Sequence, residues 1–248
     1  DPRGRAQQPS WGMRMEGSRQ LADWIRSGET RVLCGQRIFV HTAITPGRPP
    51  LLLIHGYPTA SYDWIRTWPR LAATHSLYTL DLLGFGLSDK PRGSRYPIEQ
   101  QADFCMALLD DFDVGEAHVL AHDYGDTVAQ ELLARHAEGR LKVASMVFLN
   151  GGLFPETHRA RPVQKLLATP VLGPLLARAM NYEKFATAML SISGRHPPSR
   201  EELQDLWLLA ERDGGRLALA RLISYMEQRR RHRSRWVGAL VESSVPRR

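Results

Sequence analysis

A carboxylate at a sharp strand-to-helix corner is the feature of this sequence best suited to chemistry. Asp123 sits in the run Val119-Leu120-Ala121-His122-Asp123-Tyr124-Gly125-Asp126-Thr127-Val128. The apolar stretch Ala117 to Ala121 reads as a strand that breaks at Asp123, and a helical pattern begins almost at once. A small residue stands two positions before Asp123 (Ala121) and another two after it (Gly125). Small-x-nucleophile-x-small is the pattern of a nucleophile elbow, here with aspartate in place of serine. The corner is strained, and a bulky flank on either side would collide across the bend. Alone, the pentapeptide favours a plain helix N-cap, since Asp readily caps helices. The neighbouring motifs reverse that preference.

The first neighbour is His55-Gly56-Tyr57-Pro58, directly after the apolar strand Leu51 to Ile54. Alone it is an ordinary Gly/Pro turn. Ahead of an elbow, a loop in this place supplies one backbone N–H of an oxyanion hole, and the residue after the nucleophile supplies the other. The donors here are Tyr57 and Tyr124; Pro58 has no N–H to give. The second neighbour is Asp81-Leu82-Leu83-Gly84-Phe85-Gly86-Leu87-Ser88-Asp89-Lys90-Pro91. Its Gly-x-Gly lacks a third glycine and does not open a helix, so it is not a nucleotide loop. It reads as a supporting turn in which Asp81 and Asp89 hold loops.

These loops need a scaffold. Arg31 to His41 reads as a hairpin turning near Gly35, after a polar segment (residues 1–30) that becomes helical around Leu21 to Ile25. Leu51 to Ile54, Leu77 to Leu80, Ala117 to Ala121 and Val143 to Leu149 are short, nearly all-apolar strands, as in a parallel sheet covered on both faces. Helical stretches at Ile98 to Asp111 and Thr127 to His136 separate them, which implies an α/β sheet of right-handed crossovers. From Gly151 to about Arg235 the pattern is helical throughout.

Composition narrows the class. At 248 residues the chain fits one domain with a substantial insertion. No apolar stretch approaches the roughly 18 residues of a membrane span, and no signal peptide is visible, although the chain opens on Asp1. Cys34 and Cys105 are expected as reduced, buried thiols of a cytoplasmic protein. The net charge of +7 is mostly arginine, since only four of the 33 basic residues are lysine. The densest cluster, Arg229 to Arg235, has no aromatic interleaving for base stacking and reads as a solvated helix face rather than a nucleic-acid site.

Together, His-Gly-x-Pro, the Asp81 to Pro91 loop and His122-Asp123-Tyr124-Gly125 resemble the epoxide hydrolase and haloalkane dehalogenase branch of the α/β-hydrolase superfamily. Asp126, Val128-Ala129-Gln130-Glu131-Leu132, Asn150-Gly151-Gly152-Leu153-Phe154-Pro155-Glu156-Thr157-His158-Arg159 and Arg235-Trp236-Val237-Gly238-Ala239-Leu240 narrow this to the mesoderm-specific transcript proteins and their bacterial relatives. The resemblance implies a two-step mechanism. An aspartate attacks an electrophilic carbon to form an ester, and a His-activated water then hydrolyses it. The first step is chemically sound, because a carboxylate with a reference pKa of about 3.9 is already anionic at pH 7. The second needs a base. None of the nine histidines occupies the family position, and His55 and His122 belong to scaffold motifs. Asn150 stands where some dehalogenases place the partner acid, but an amide cannot hold an imidazolium by charge. Dehalogenases of this branch usually hold the halide with a Trp after the nucleophile, where this chain has Tyr124. Epoxide hydrolases use cap tyrosines on the epoxide oxygen. Tyr225 resembles one such position and Tyr182 is a weaker candidate.

The expectation is an α/β-hydrolase fold, a mostly parallel doubly wound sheet with a helical cap and the last two strands missing. Residues 1–150 form the core, 151–238 the cap and 239–248 the start of a truncated C-terminal core, leaving the strand ending at Leu149 as an open edge. The expected activity is epoxide-hydrolase-like, impaired for want of the base, on a small organic electrophile. Asp123 is the nucleophile, Tyr57 and Tyr124 are the oxyanion donors and Tyr225 is the substrate contact. Neither metal nor cofactor is expected. The alternatives are a non-catalytic truncated product or binding module and, less favoured, a dehalogenase; a serine esterase fails for lack of Gly-x-Ser-x-Gly.

Overall fold

The protein is described by a computed structural model covering residues 17–157, 159–160, 162–169 and 171–248. The first 16 residues of the polar N-terminal segment, and His158, lie outside the described residues. Helix α1 (Arg19–Ser27) leads into the hairpin β1 (Glu29–Leu33) and β2 (Gln36–Ala43). Its turn is Cys34-Gly35, both at positive φ (47° and 77°), which suits the twist of a two-residue hairpin. Both cysteines are free, but Cys34 is exposed rather than buried as expected. A side chain at a hairpin tip has no covering layer.

The order then runs β3 (Pro50–Ile54), α2 (Trp68–Ala72), β4 (Ser76–Leu80), α3 (Ile98–Asp111), β5 (Ala117–His122), α4 (Tyr124–Ala137) and β6 (Val143–Leu149). In space the sheet reads β1-β2-β4-β3-β5-β6. Strands β4, β3, β5 and β6 are parallel, and β2 joins β4 antiparallel. Alternate side chains of an apolar strand point to opposite faces, so an all-apolar strand needs two cores. Accordingly, Leu52 and Ile54 pack with α3 and α4, while Leu51 and Leu53 pack with Trp24 of α1 and Trp64.

Beyond β6 come helices α5 (Pro162–Leu167), α6 (Leu172–Arg178), α7 (Tyr182–Ile192), α8 (Arg200–Glu211), α9 (Gly215–Leu222), α10 (Tyr225–Arg231) and α11 (Arg233–Glu242). Among the described residues no helix is long and apolar enough to cross a membrane. After α11 the backbone returns to the sheet. Met146 N–H donates to Pro246 O at 2.9 Å, Arg248 N–H to Met146 O at 3.0 Å and Phe148 N–H to Arg248 O at 3.0 Å. This parallel contact corrects the expected open edge over Met146 to Phe148. Backbone pairing does not depend on the side chains, so Arg247 and Arg248 serve as well as apolar residues would. Leu149 stays 37% exposed.

The arginine cluster is also corrected, because part of it is internal. Arg229 is 3% exposed, and Arg235 reaches inward to Glu131. Glu131 on α4 is itself buried and accepts from Arg135 Nε (2.9 Å), Arg235 Nε (2.7 Å) and Trp236 Nε1 (2.8 Å). A buried carboxylate holding this many donors joins α4 to α11 and explains why Glu131 and Arg235-Trp236 occur together. Burial alone would raise its pKa, but the Arg235, Trp236 and Arg135 hydrogen bonds outweigh that and lower it below the ordinary 4.5. A depressed carboxyl contributes stability above its unfolded pKa that is lost as pH falls through the folded one. Glu131→Ala is therefore expected to cost about 2–4 kcal/mol in urea unfolding at pH 7, because it removes the buried acceptor of two arginines and leaves the Trp236 indole N–H without one, while Arg135 keeps Asp103 and Arg235 keeps Glu138. The difference from wild type should shrink as the pH drops below the ordinary glutamate value.

Candidate active site

At the end of β5 the chain turns within a single residue. Asp123 has φ 52° and ψ −107°, a conformation that costs a non-glycine residue energy and persists only where the surroundings enforce it. Three contacts do so. Asp123 N–H donates to Leu149 O at 2.9 Å, while its Oδ1 accepts from Tyr124 N–H at 2.6 Å and Tyr57 N–H at 3.1 Å. An ordinary N-cap lies in the β region and accepts from the second or third helical N–H. Asp123 has positive φ and accepts from the first, and it also binds a separate loop. This geometry is an elbow rather than a simple cap.

The small flanks have a visible cause. A Cβ at Gly125 would lie 2.5 Å from Ile54 O, and one at Gly56 would lie 2.8 Å from His122 Nδ1 and 3.0 Å from Asp123 Cβ. The two loops therefore approach backbone to backbone, which brings the Tyr57 and Tyr124 N–H groups onto one oxygen. Asp123 remains partly exposed, and among the described residues nothing donates to its Oδ2.

The Asp81 to Pro91 loop supports this corner as expected. Asp81 Oδ1 accepts from Ser61 N–H at 2.8 Å and Oδ2 from Leu87 N–H at 2.7 Å, while Asp89 Oδ2 accepts from Arg37 N–H at 2.8 Å. Leu82 N–H donates to His55 Nε2 at 3.0 Å, which leaves His55 Nδ1 to donate to Gly56 O at 2.8 Å. Both ring nitrogens of His55 are occupied. His122 lies against Gly56, and burial lowers its pKa. Of the remaining described histidines, His41 stacks on Trp24, His232 stacks on Trp236, and His75 meets His118 edge to face. His136 Nδ1 accepts from Val143 N–H, and His196 lies beside Arg66.

Tyr225, 2% exposed, comes down from α10 with its ring 5.0 Å from that of Tyr124 and 6.4 Å from that of Tyr57. Its phenol pKa is raised, chiefly by burial and then by the negative charge of Asp123; Arg229 pulls the other way. The hydroxyl therefore stays protonated and able to donate. Tyr182 is elsewhere, its hydroxyl 3.5 Å from Arg200 O, and Asn150 is an exposed residue at φ 58°. The sequence reading missed Phe85, whose ring stands 5.2 Å from Tyr124 and 4.9 Å from His55, although its place between two motif glycines was a signal. It also missed Arg229 and Asp126. A cleft of about 850 Å³ beside Trp24, His41 and Trp68 shares no residue with this site. Among the described residues no group of three or more His, Cys, Asp or Glu is placed to hold a metal ion.

Comparison with known proteins agrees with this fold. Residues 49–188 match the family described as alpha/beta hydrolase fold. The mesoderm-specific transcript homolog protein of Bos taurus is 42% identical over 236 residues, covering 91% of this chain and 70% of that protein. A haloalkane dehalogenase loop variant from Bradyrhizobium elkanii superposes with a TM-score of 0.74 at 22% identity, over 89% of this chain and 78% of that one. The epoxide hydrolase CorEH does so with a TM-score of 0.73 at 18% identity, over 89% and 80%. At these identities the two structures share the fold alone.

Asp126, three residues after Asp123 and 1% exposed, accepts from Leu149 N–H at 3.3 Å while its Oδ2 has no hydrogen-bond partner. Burial pushes its pKa up to about 8, against the opposing pull of the Leu149 and Gly151 backbone. A carboxyl that is neutral in the fold and ionised when unfolded makes stability fall as pH rises from its unfolded value toward its folded one. Asp126→Asn is expected to flatten this slope between about pH 5 and pH 8. Urea midpoints across that range should converge on or exceed wild type at the alkaline end; a parallel pair of curves would refute the assignment.

Proposed function

Because this chain belongs to the α/β-hydrolase fold family, we propose that Asp123 is a carboxylate nucleophile acting on a small organic electrophile, with epoxides favoured. The observation that carries this is the double backbone grip on Oδ1 with Oδ2 left unbonded. In this reading Oδ2 attacks the electrophilic carbon, and Oδ1 becomes the carbonyl oxygen of the resulting ester. If water then adds, the negative charge develops on Oδ1, where two N–H groups already point. Preorganised donors of this kind stabilise the transition state without having to reorganise. Tyr57 and Tyr124 thus serve through their backbones, and Tyr225 through its phenol. An epoxide needs a proton donor for the oxygen that leaves carbon, and a buried, protonated tyrosine suits that role better than halide binding.

The second half-reaction is where we place the weakness. With His55 bonded at both nitrogens and His122 against Gly56, none of the described histidines stands ready over Oδ2. We therefore take ester hydrolysis by these 248 residues to be slow, so that the ester accumulates. Residues 151–238 act as the cap over residues 1–150, with 239–248 returning to the core. The inward arginines and free thiols fit a cytoplasmic protein without a nucleic-acid partner.

Incubation with a simple epoxide such as styrene oxide should add one hydroxyalkyl mass to the intact protein, and Asp123→Asn should abolish it. Product exceeding one equivalent per chain would contradict slow release. A folded protein that never gains the mass would contradict the nucleophile itself.

A further inference from the structure

Arg229 is costly to bury and has no role in the chemistry above. Its side chain is 3% exposed, its Nε donates to Thr127 Oγ1 at 2.8 Å, and its Nη1 has no hydrogen-bond partner. Among the described residues it joins no ion pair. The Asp126 carboxyl acts on it through charge at longer range, but a buried cation without a salt bridge is unfavourable unless something in contact repays the lost hydration. What lies there is the face of Tyr225, with the guanidinium carbon 4.5 Å from the ring centroid. Such a desolvated cation–π contact is among the stronger ones. The anchor matters equally. Thr127 stands one helical turn after Asp123 on α4, so Arg229 ties the cap tyrosine to the helix that begins at the nucleophile.

We infer that Arg229 is a positioning residue for this site: fixed on Thr127, it clamps the Tyr225 ring toward Asp123 and supplies the positive charge that lets the phenol release its proton. The inference rests on the reading of Asp123 as nucleophile and Tyr225 as proton donor. Asp123 beside a phenol opposes ionisation, and Arg229 is the counterweight, lowering the phenol pKa that burial and Asp123 raise. In the step concerned, Asp123 Oδ2 bonds to an epoxide carbon and the carbon–oxygen bond breaks. The freed oxygen takes the Tyr225 proton, and the phenolate faces Arg229 until solvent returns a proton. An alkyl bromide reacting at Asp123 expels bromide and needs no such proton. The two electrophiles therefore separate positioning from general damage to the fold.

Alkylation rates of Asp123 by styrene oxide and by an alkyl bromide are compared in wild type, Arg229→Gln and Arg229→Lys, using intact mass. Arg229→Gln should lower the epoxide-to-bromide ratio by about tenfold to thirtyfold, the size expected of a desolvated cation–π contact. Arg229→Lys should recover part of the loss. Ring resonances of Tyr225, assigned through Tyr225→Phe, should move toward exposed-tyrosine values in Arg229→Gln as the ring leaves Tyr124 and Tyr57. Equal losses for both electrophiles, or unmoved Tyr225 resonances, would overturn the inference while leaving the nucleophile reading intact. A wild-type protein modified by neither electrophile would overturn both.

Discussion

Two backbone N–H groups on one carboxylate oxygen are the constraint around which the rest of this structure is arranged. Tyr57 and Tyr124 lie 67 positions apart, in two different motifs; they meet at Oδ1 of Asp123 because two loops approach with glycine at the contact. The positive φ of Asp123 is the local cost of that meeting. It is sustained by neighbours on every side: the Leu149 carbonyl, the first turn of α4 and the Asp81 loop that holds His55.

Helix α4 carries this arrangement outward. Its first twelve residues are buried, and its polar members are matched to particular partners rather than to solvent. Asp126 meets the backbone at the last residue of β6, Gln130 donates to Leu153 O at 3.1 Å and Glu131 binds Arg235 and Trp236. The elbow is therefore fastened through one helix to the loop after the sheet and to the returning chain. Thr127 extends the same logic to the cap through Arg229. Buried polar networks of this type are favourable only when nearly all members find partners, which concentrates their few exceptions where function is most plausible.

Much of this was legible in the residues. Short all-apolar strands, Gly35 at the hairpin and Asp123 between the small residues Ala121 and Gly125 were each readable from residue type. Tyr225 was legible only through resemblance, since a tyrosine on a helix carries no address. The arginines at 229 and 235 were misread because a run of like charges ordinarily faces water. Their inward turn depends on Thr127 and Glu131, which are distant in sequence. Cys34 was misread for the opposite reason: cysteine is commonly buried, but the two-residue turn left it at the tip. Pro246 to Arg248 pair with β6 through backbone alone, a contact that side-chain character cannot announce.

The central claim is that Oδ2 of Asp123 bonds to carbon while Oδ1 stays in its two-donor grip. A crystal structure of the protein after exposure to an epoxide tests it most directly. The account requires continuous density from Oδ2 to a substrate carbon, with Oδ1 still within hydrogen-bond distance of the Tyr57 and Tyr124 nitrogens. An unaltered carboxylate with the modification on any other side chain would contradict it.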